Sequence, residues 1–493
     1  MSHSKLSDHK FKKGKFIAPL NEIENLAPLK NNESWYSGRL PEYMWIGLIL
    51  DKYGRTIGLE KLYYIMKKLH SIEPSINSPR FSLILSMQEQ KQKEFYDYLL
   101  TEIDKNTLCP LTLIFTYSEY QIFSKYFVNI DMDIQERADI LKENLAKYSD
   151  HQSNDSTDIR FIVLYYSCMT GQLHLLDYQI KLLSKYYTLS HDDEQMRIIR
   201  PTIRSTEVII LVNEKKSDWY LNIFWRKISI MTDCELYSLN YEKELANTQL
   251  YMEQLYEVFN YLSELLCNSN PLDQKMQVLF GLATYSYKRI LEVVEHNLFN
   301  SISGRSAVRI LIENYIMMKY LVKIETEHED IWTEYQVYGM GQYKLILSRF
   351  REQEESEDLK NSHVNYKYLE CLVNEFFTEE MIDMDTRYFD KQNIREKAKQ
   401  VGEQILYGLY YDYDSAYEHG LWGSIRESSL LKCKNPAHQY HCVPDIDNNQ
   451  NLKSVWHDCV FVMKKILLFL DDIYGIPKKL LSEVINNGQK FFE

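Results

Sequence analysis

Helix breakers are scarce in this chain, with 16 glycines and 11 prolines in 493 residues. Glycine costs a helix interior about 1 kcal/mol and proline about 3 kcal/mol relative to alanine, so a chain poor in both can sustain long helices. It also lacks the turn residues that a β sandwich or barrel consumes. Apolar residues recur at three- and four-residue spacing along most of the length. The fold class that follows is all-α, an N-terminal helical array followed by a C-terminal antiparallel helix bundle. The length allows two to four domains with separate cores.

Residues 1–30 are expected to form a flexible basic arm, carrying Lys5, Lys10, Lys12, Lys13 and Lys15. An N-terminal helical domain is expected over 31–238. Its first firm helix starts at Leu40-Pro41-Glu42, where proline in the first turn loses no needed donor. Tyr43 to Leu50 is apolar almost all round, which marks a buried helix, and Tyr53-Gly54-Arg55 breaks it. Further helices are expected over 88–104, 110–128, 133–148, 158–170, 173–187, 193–214 and 217–231. The bundle is expected over 239–493, with helices at 240–267, 272–298, 304–324, 327–352, 364–376, 391–420 and 452–473, joined by short connections.

The net charge of -13 argues against a general nucleic-acid coat, which needs a basic face. A small local RNA site is compatible with it. The eight cysteines are scattered and form no short-spaced framework, so reduced thiols in a cytoplasmic compartment are expected. No run of about 18 apolar residues predicts a membrane span. The sequence carries no Gly-rich phosphate loop, nucleophile elbow, HExxH or dinucleotide fingerprint, and no cofactor is expected. The 39 tyrosines read as half-buried helix positions whose hydroxyls reach water.

Reactive side chains crowd between Tyr411 and Pro444, where His419, Arg426, Glu427, Cys433, His438, His441 and Cys442 fall within about 24 residues. Ser415 and His419 stand one helical turn apart, and an imidazole there titrates near neutrality, as a general acid or base requires. Arg305, Arg309 and Glu313 repeat at four-residue intervals, so they share one helix face. Such a face either holds an anion or forms an ion-pair ladder. Cys433, His438, His441 and Cys442 are ligand-type residues, but they fit no zinc template and the adjacent His441 and Cys442 point different ways. An ordered loop around Asn435-Pro436, docked on the bundle, is expected there instead of a metal site. Arg289 and His296 match the loose Arg-x-His spacing of helical RNases, a match expected about once by chance in such a chain.

Two stretches carry a family resemblance: GRSAVRILIENYIMMKYL (304–321) and YDSAYEHGLWGSIRESSLLKCKNPAHQYHCVP (413–444). Through them the region of about 245–475 resembles the bacterial domain of unknown function numbered 5677. The resemblance implies an all-helical build and assigns the shared polar pattern to Arg305, Arg309, Glu313, Ser415 and His419. Arg426, Glu427, Asn435, Pro436, His438 and His441 extend it. A distant likeness to HEPN-type helical proteins implies a bacterial stress or anti-phage setting. The chain departs from the nuclease pattern of that group, since no arginine stands four to six residues before His419.

Two functions follow as expectations, beside a third option, a zinc-dependent enzyme, that would need Cys433, His438 and His441 to converge. The first is a cytoplasmic sensor or binding module whose bundle pocket takes a small ligand or a protein partner through Arg305, Arg309, Glu313 and His419. The second is a metal-independent RNase in which His419 or His296 is the base and the two arginines stabilise phosphorane charge. Long amphipathic stretches such as 240–267 leave oligomerisation open.

Overall fold

The computed structural model describes residues 5–17, 34–210, 217–239, 241, 248–270, 272–353, 361–376, 378–384, 390–447 and 450–490. The protein is all-α, with small antiparallel strand sets beside the helices. The chain divides into two compact units. One comprises Met1–Tyr237 with Lys432–Val443, the other Ser238–Leu431 with Pro444–Glu493.

Residues 5–17, expected within a flexible arm, form a short turn and an exposed hairpin of β1 (Lys10–Lys12) and β2 (Lys15–Ile17). Residues 1–4 and 18–30 of that arm lie outside the described residues. The first unit is built around α1 (Leu40–Ile72), and every residue from Leu40 to Leu50 is buried. A helix apolar on all sides has to sit at the centre of its unit. Here it packs against α2 (Glu89–Glu102), α3 (Ile134–Tyr148), α4 (Asn154–Met169) and, beyond α5 (Met196–Ile210), α6 (Asp218–Ile230). Gly54, at φ +73°, interrupts α1 where the sequence places a break. Asp133 and Ser153 cap α3 and α4 by accepting the Glu136 and Ser156 N–H groups. The helix expected over 110–128 is not continuous. Pro110 lies in a tight helical turn, Cys109–Leu113, and a short helix, Gln121–Phe127, follows after a bend.

In the second unit, α7 (Thr248–Cys267), α8 (Gln274–Glu295), α9 (Ile302–Ile324), α10 (Ile331–Arg351) and α11 (Tyr366–Phe376) follow the expected order. The helix expected over 391–420 is broken into α12 (Ile394–Gln400), a wider π-type turn (Leu406–Tyr411) and α13 (Asp412–Glu418). Gly402, at φ +77°, lies in the break, a conformation that helical residues do not adopt. After α14 (Trp422–Ser428), α15 (Trp456–Tyr474) and α16 (Lys478–Lys490) complete the unit. Its hub is α9, which buries Val308, Leu311, Ile312, Ile316 and Met318 and packs on α8, α12, α13 and α15. Among the described residues no helix is long and apolar enough to cross a membrane.

The segment Lys432–Val443 belongs to the first unit, not to the bundle as expected. β3 (Leu236–Tyr237) pairs antiparallel with β4 (Leu430–Cys433), in the register Leu236 with Cys433 and Tyr237 with Lys432. Ala437 is buried in the first unit's core. The Tyr36 hydroxyl donates to the Pro436 carbonyl, and the Tyr36 ring lies 5.3 Å from that of Tyr440. Ladder bonds and apolar contact with the first unit therefore fix this loop. β5 (Cys442–Pro444) completes the small sheet.

Candidate functional site

The polar face of α9 starts at a close backbone approach. Ser301 caps the helix by accepting the Gly304 N–H at 3.0 Å. A Cβ on Gly304 would stand 2.4 Å from the Leu298 carbonyl oxygen, so only glycine fits. One residue later, Arg305 is 3 % exposed. Its guanidinium donates to the Ser301 carbonyl at 3.2 Å and the Lys453 carbonyl at 2.6 Å, and lies 5.5 Å from the Tyr417 ring centre.

A turn further on, Arg309 lies over the Tyr411 ring at 4.8 Å and donates to the Tyr411 hydroxyl at 2.9 Å. That hydroxyl in turn donates to Glu313 Oε2 at 3.2 Å, and Arg309 stands 3.6 Å from the same carboxylate. The tyrosine thus links both ends of an ion pair. Asp414 of α13 is buried near these arginines, and its carboxyl is pushed up to about 8. Burial is the main cause; Asp458 adds to it, while Arg305 and Arg309 oppose it. Tyr413 donates to Glu427 at 3.0 Å, and its hydroxyl is also 3.0 Å from that of Tyr417. The cluster can hold a proton at Asp414 near neutral pH within a fixed set of donors.

Ser415 and His419 take no such inward place. The Ser415 carbonyl accepts the His419 N–H at 3.1 Å, and His419 is exposed at the end of α13. Arg426 is exposed and Glu427 half-buried. Arg289 pairs with Glu292, and His296 is exposed at the end of α8. Asn435, His438 and His441 belong to the first unit, whereas the arginine cluster belongs to the second. In the first unit, Cys433, His438 and His441 converge with Cys234. Cys442, the fourth ligand-type residue of the sequence motif, is not among them.

A second feature went unrecognised in the sequence. The first unit holds an apolar cavity of about 700 Å³, lined among others by Leu59, Tyr63, Phe161, Leu164, Cys168 and Tyr187. Its walls come from α1, α4 and the segment leading through residues 173–187. Each wall alone reads as a segment turned to a core, so no local signal marks the space between them. The tyrosines supply polar edges. Tyr63 lies 5.1 Å from Tyr165, ring to ring, and the Lys67 ammonium stands 4.2 Å from the Tyr63 ring centre. The Lys67 hydrogen bond lowers the Tyr63 phenol's pKa. Burial pushes the Cys168 thiol up, keeping it protonated against the cavity.

No curated protein and no solved structure matches the chain. A family match exists over residues 277–438, narrower than the 245–475 expected from the resemblance. It spans the arginine cluster, Ser415, His419, Cys433 and His438, and leaves out Cys234, His441 and the cavity. Over residues 277–438 the chain matches the model of a family of unknown function, DUF5677.

Proposed function

We propose that this protein is a ligand-binding module whose first unit takes a small, mainly apolar molecule with a hydrogen-bonding head. The cavity of about 700 Å³ carries this reading. Small-molecule sites are commonly apolar hollows of ~300–1,000 Å³ with a few converging polar groups. Here the apolar body would lie along Leu59, Phe161 and Leu164, and the head would meet the hydroxyls of Tyr63 and Tyr187. The nuclease alternative has less support. The Arg305 donors that would contact phosphate are engaged by two backbone carbonyls, and His419 and His296 are both exposed.

Titration with the fluorescent dye anilinonaphthalenesulfonate, followed by displacement with medium-chain fatty acids and alcohols, tests the proposal. Saturable binding is expected, weakened at least tenfold by Ser184→Trp at the cavity mouth or Cys168→Phe on its wall. Dye binding unchanged in both folded variants would overturn it. So would metal-independent RNA cleavage that disappears in His419→Ala.

A further inference from the structure

We infer that Cys234, Cys433, His438 and His441 form a structural zinc site within the first unit. A tetrahedral zinc with Zn–S bonds of about 2.3 Å and Zn–N bonds of about 2.1 Å holds its ligand atoms roughly 3.3–3.8 Å apart. Cys234 Sγ lies 3.2 Å from His438 Nδ1 and 3.3 Å from His441 Nε2. Cys433 Sγ lies 3.9 Å from His438 Nδ1, and all four ligand atoms fall within 4.8 Å of one another. Two sulfurs and two imidazole nitrogens thus surround one point. Two S–H protons cannot satisfy that many lone pairs, whereas one divalent cation can.

The surroundings hold the ligands in coordinating form. His438 Nε2 donates to the Thr232 carbonyl at 2.9 Å, which fixes the tautomer and leaves the Nδ1 lone pair facing the sulfurs. The Asn435 backbone N–H points at Cys433 Sγ at 3.4 Å, a donor that favours thiolate. Asn435 is itself buried and holds the loop by donating to the Asp233 carbonyl at 2.8 Å and accepting the Ala437 N–H at 2.8 Å. Gln439 and Tyr440 both take left-handed conformations, at φ +52° and +50°. Together they form a type I′ turn, closed by the His441 N–H donating to the His438 carbonyl at 3.1 Å. Here they turn the chain so that His441 returns to Cys433, whose N–H donates to the His441 carbonyl at 2.9 Å.

Two thiolates balance the charge of a divalent ion, and the sulfur–nitrogen donor set selects zinc. With four protein ligands the ion has no open position, so its role is structural, not catalytic. Binding releases the two thiol protons to solvent. It joins Cys234 to His438, 204 residues further on, and so fastens the Lys432–Val443 segment within its unit.

Metal analysis of the purified full-length chain, by plasma mass spectrometry after dialysis, tests the site. One zinc per chain is expected. Cobalt substitution should give the intense visible bands of a tetrahedral site and a sulfur-to-cobalt charge-transfer band. Cys234→Ser should lose the metal, and Cys442→Ser should keep it. If Cys234→Ser does not fold, His441→Gln at an exposed position carries the comparison, beside the wild-type cobalt spectrum. A wild-type chain that stays metal-free after reconstitution with zinc under reducing conditions overturns the inference. So does zinc retained by a folded Cys234→Ser chain, or a Cys234–Cys433 disulfide in the freshly purified protein.

Discussion

Arg305 donates through Nη2 to the Lys453 carbonyl at 2.6 Å, tying the start of α9 to the segment that leads into α15. It also satisfies the Ser301 carbonyl and lies against Tyr417. Removing a buried donor leaves its acceptors without partners, at about 1–3 kcal/mol for each buried group. Arg305→Ala should therefore lower unfolding stability by about 2–4 kcal/mol in urea denaturation. Arg305→Lys should recover only part of this, because one ammonium cannot reproduce the planar fork. A loss below about 0.5 kcal/mol would show that these bonds contribute nothing net.

In the first unit a buried carboxylate serves two arginines. Glu207 accepts from Arg39 at 2.7 Å and from Arg160 at 2.8 Å, and its side chain is fully buried. Breaking a buried ion pair from one side costs about 3–5 kcal/mol, since the remaining charge stays desolvated. Glu207→Gln should destabilise the first unit on that scale. Replacing all three residues by apolar ones of similar volume should cost much less, as thermal unfolding of the two variants will show.

Asp414 makes a prediction in pH. Its carboxyl moves from an ordinary value of 3.8 to about 8. The folded state therefore keeps a proton that the unfolded chain loses above about pH 4. Stability attached to this group is complete below that point and falls as pH rises towards about 8. Asp414→Asn, which cannot ionise, should gain on the wild type across that interval, by a few kcal/mol in order of magnitude, and then run parallel to it. Paired urea titrations from pH 4 to 9 will decide. A constant difference across the range refutes the shift.

Gly304 allows α9 to begin against the Leu298 carbonyl. Gly304→Ala would normally favour a helix by about 1 kcal/mol. Here the added methyl meets backbone that cannot step aside, so the substitution should instead destabilise, by about 1–3 kcal/mol, a typical penalty for overpacking. Gly339→Ala in α10, where nothing stands within 4 Å, provides the matched control and should stabilise.

The arginine cluster is half legible in the sequence. Helical periodicity alone sets Arg305, Arg309 and Glu313 on one face, and the structure keeps them there. Their partners were not legible. Tyr411, at the end of the π-type turn, and Asp414 and Tyr417 of α13 come from about a hundred residues later, and spacing alone does not show that this segment packs on α9. Ser415 and His419 share the expected spacing but do not join the arginines, because spacing says nothing about which face turns inward.

The sequence by itself determined the all-α class, the buried first helix with its break at Gly54, and most helices of the second unit. These rest on propensity and period, which act over a few residues. Only the tertiary structure decided the allegiance of Lys432–Val443, the replacement of Cys442 by Cys234 in the sulfur–imidazole cluster, and the cavity between α1 and α4. Each depends on residues brought together across long separations by strand pairing and core burial. Contacts of that kind leave no local pattern in a single sequence.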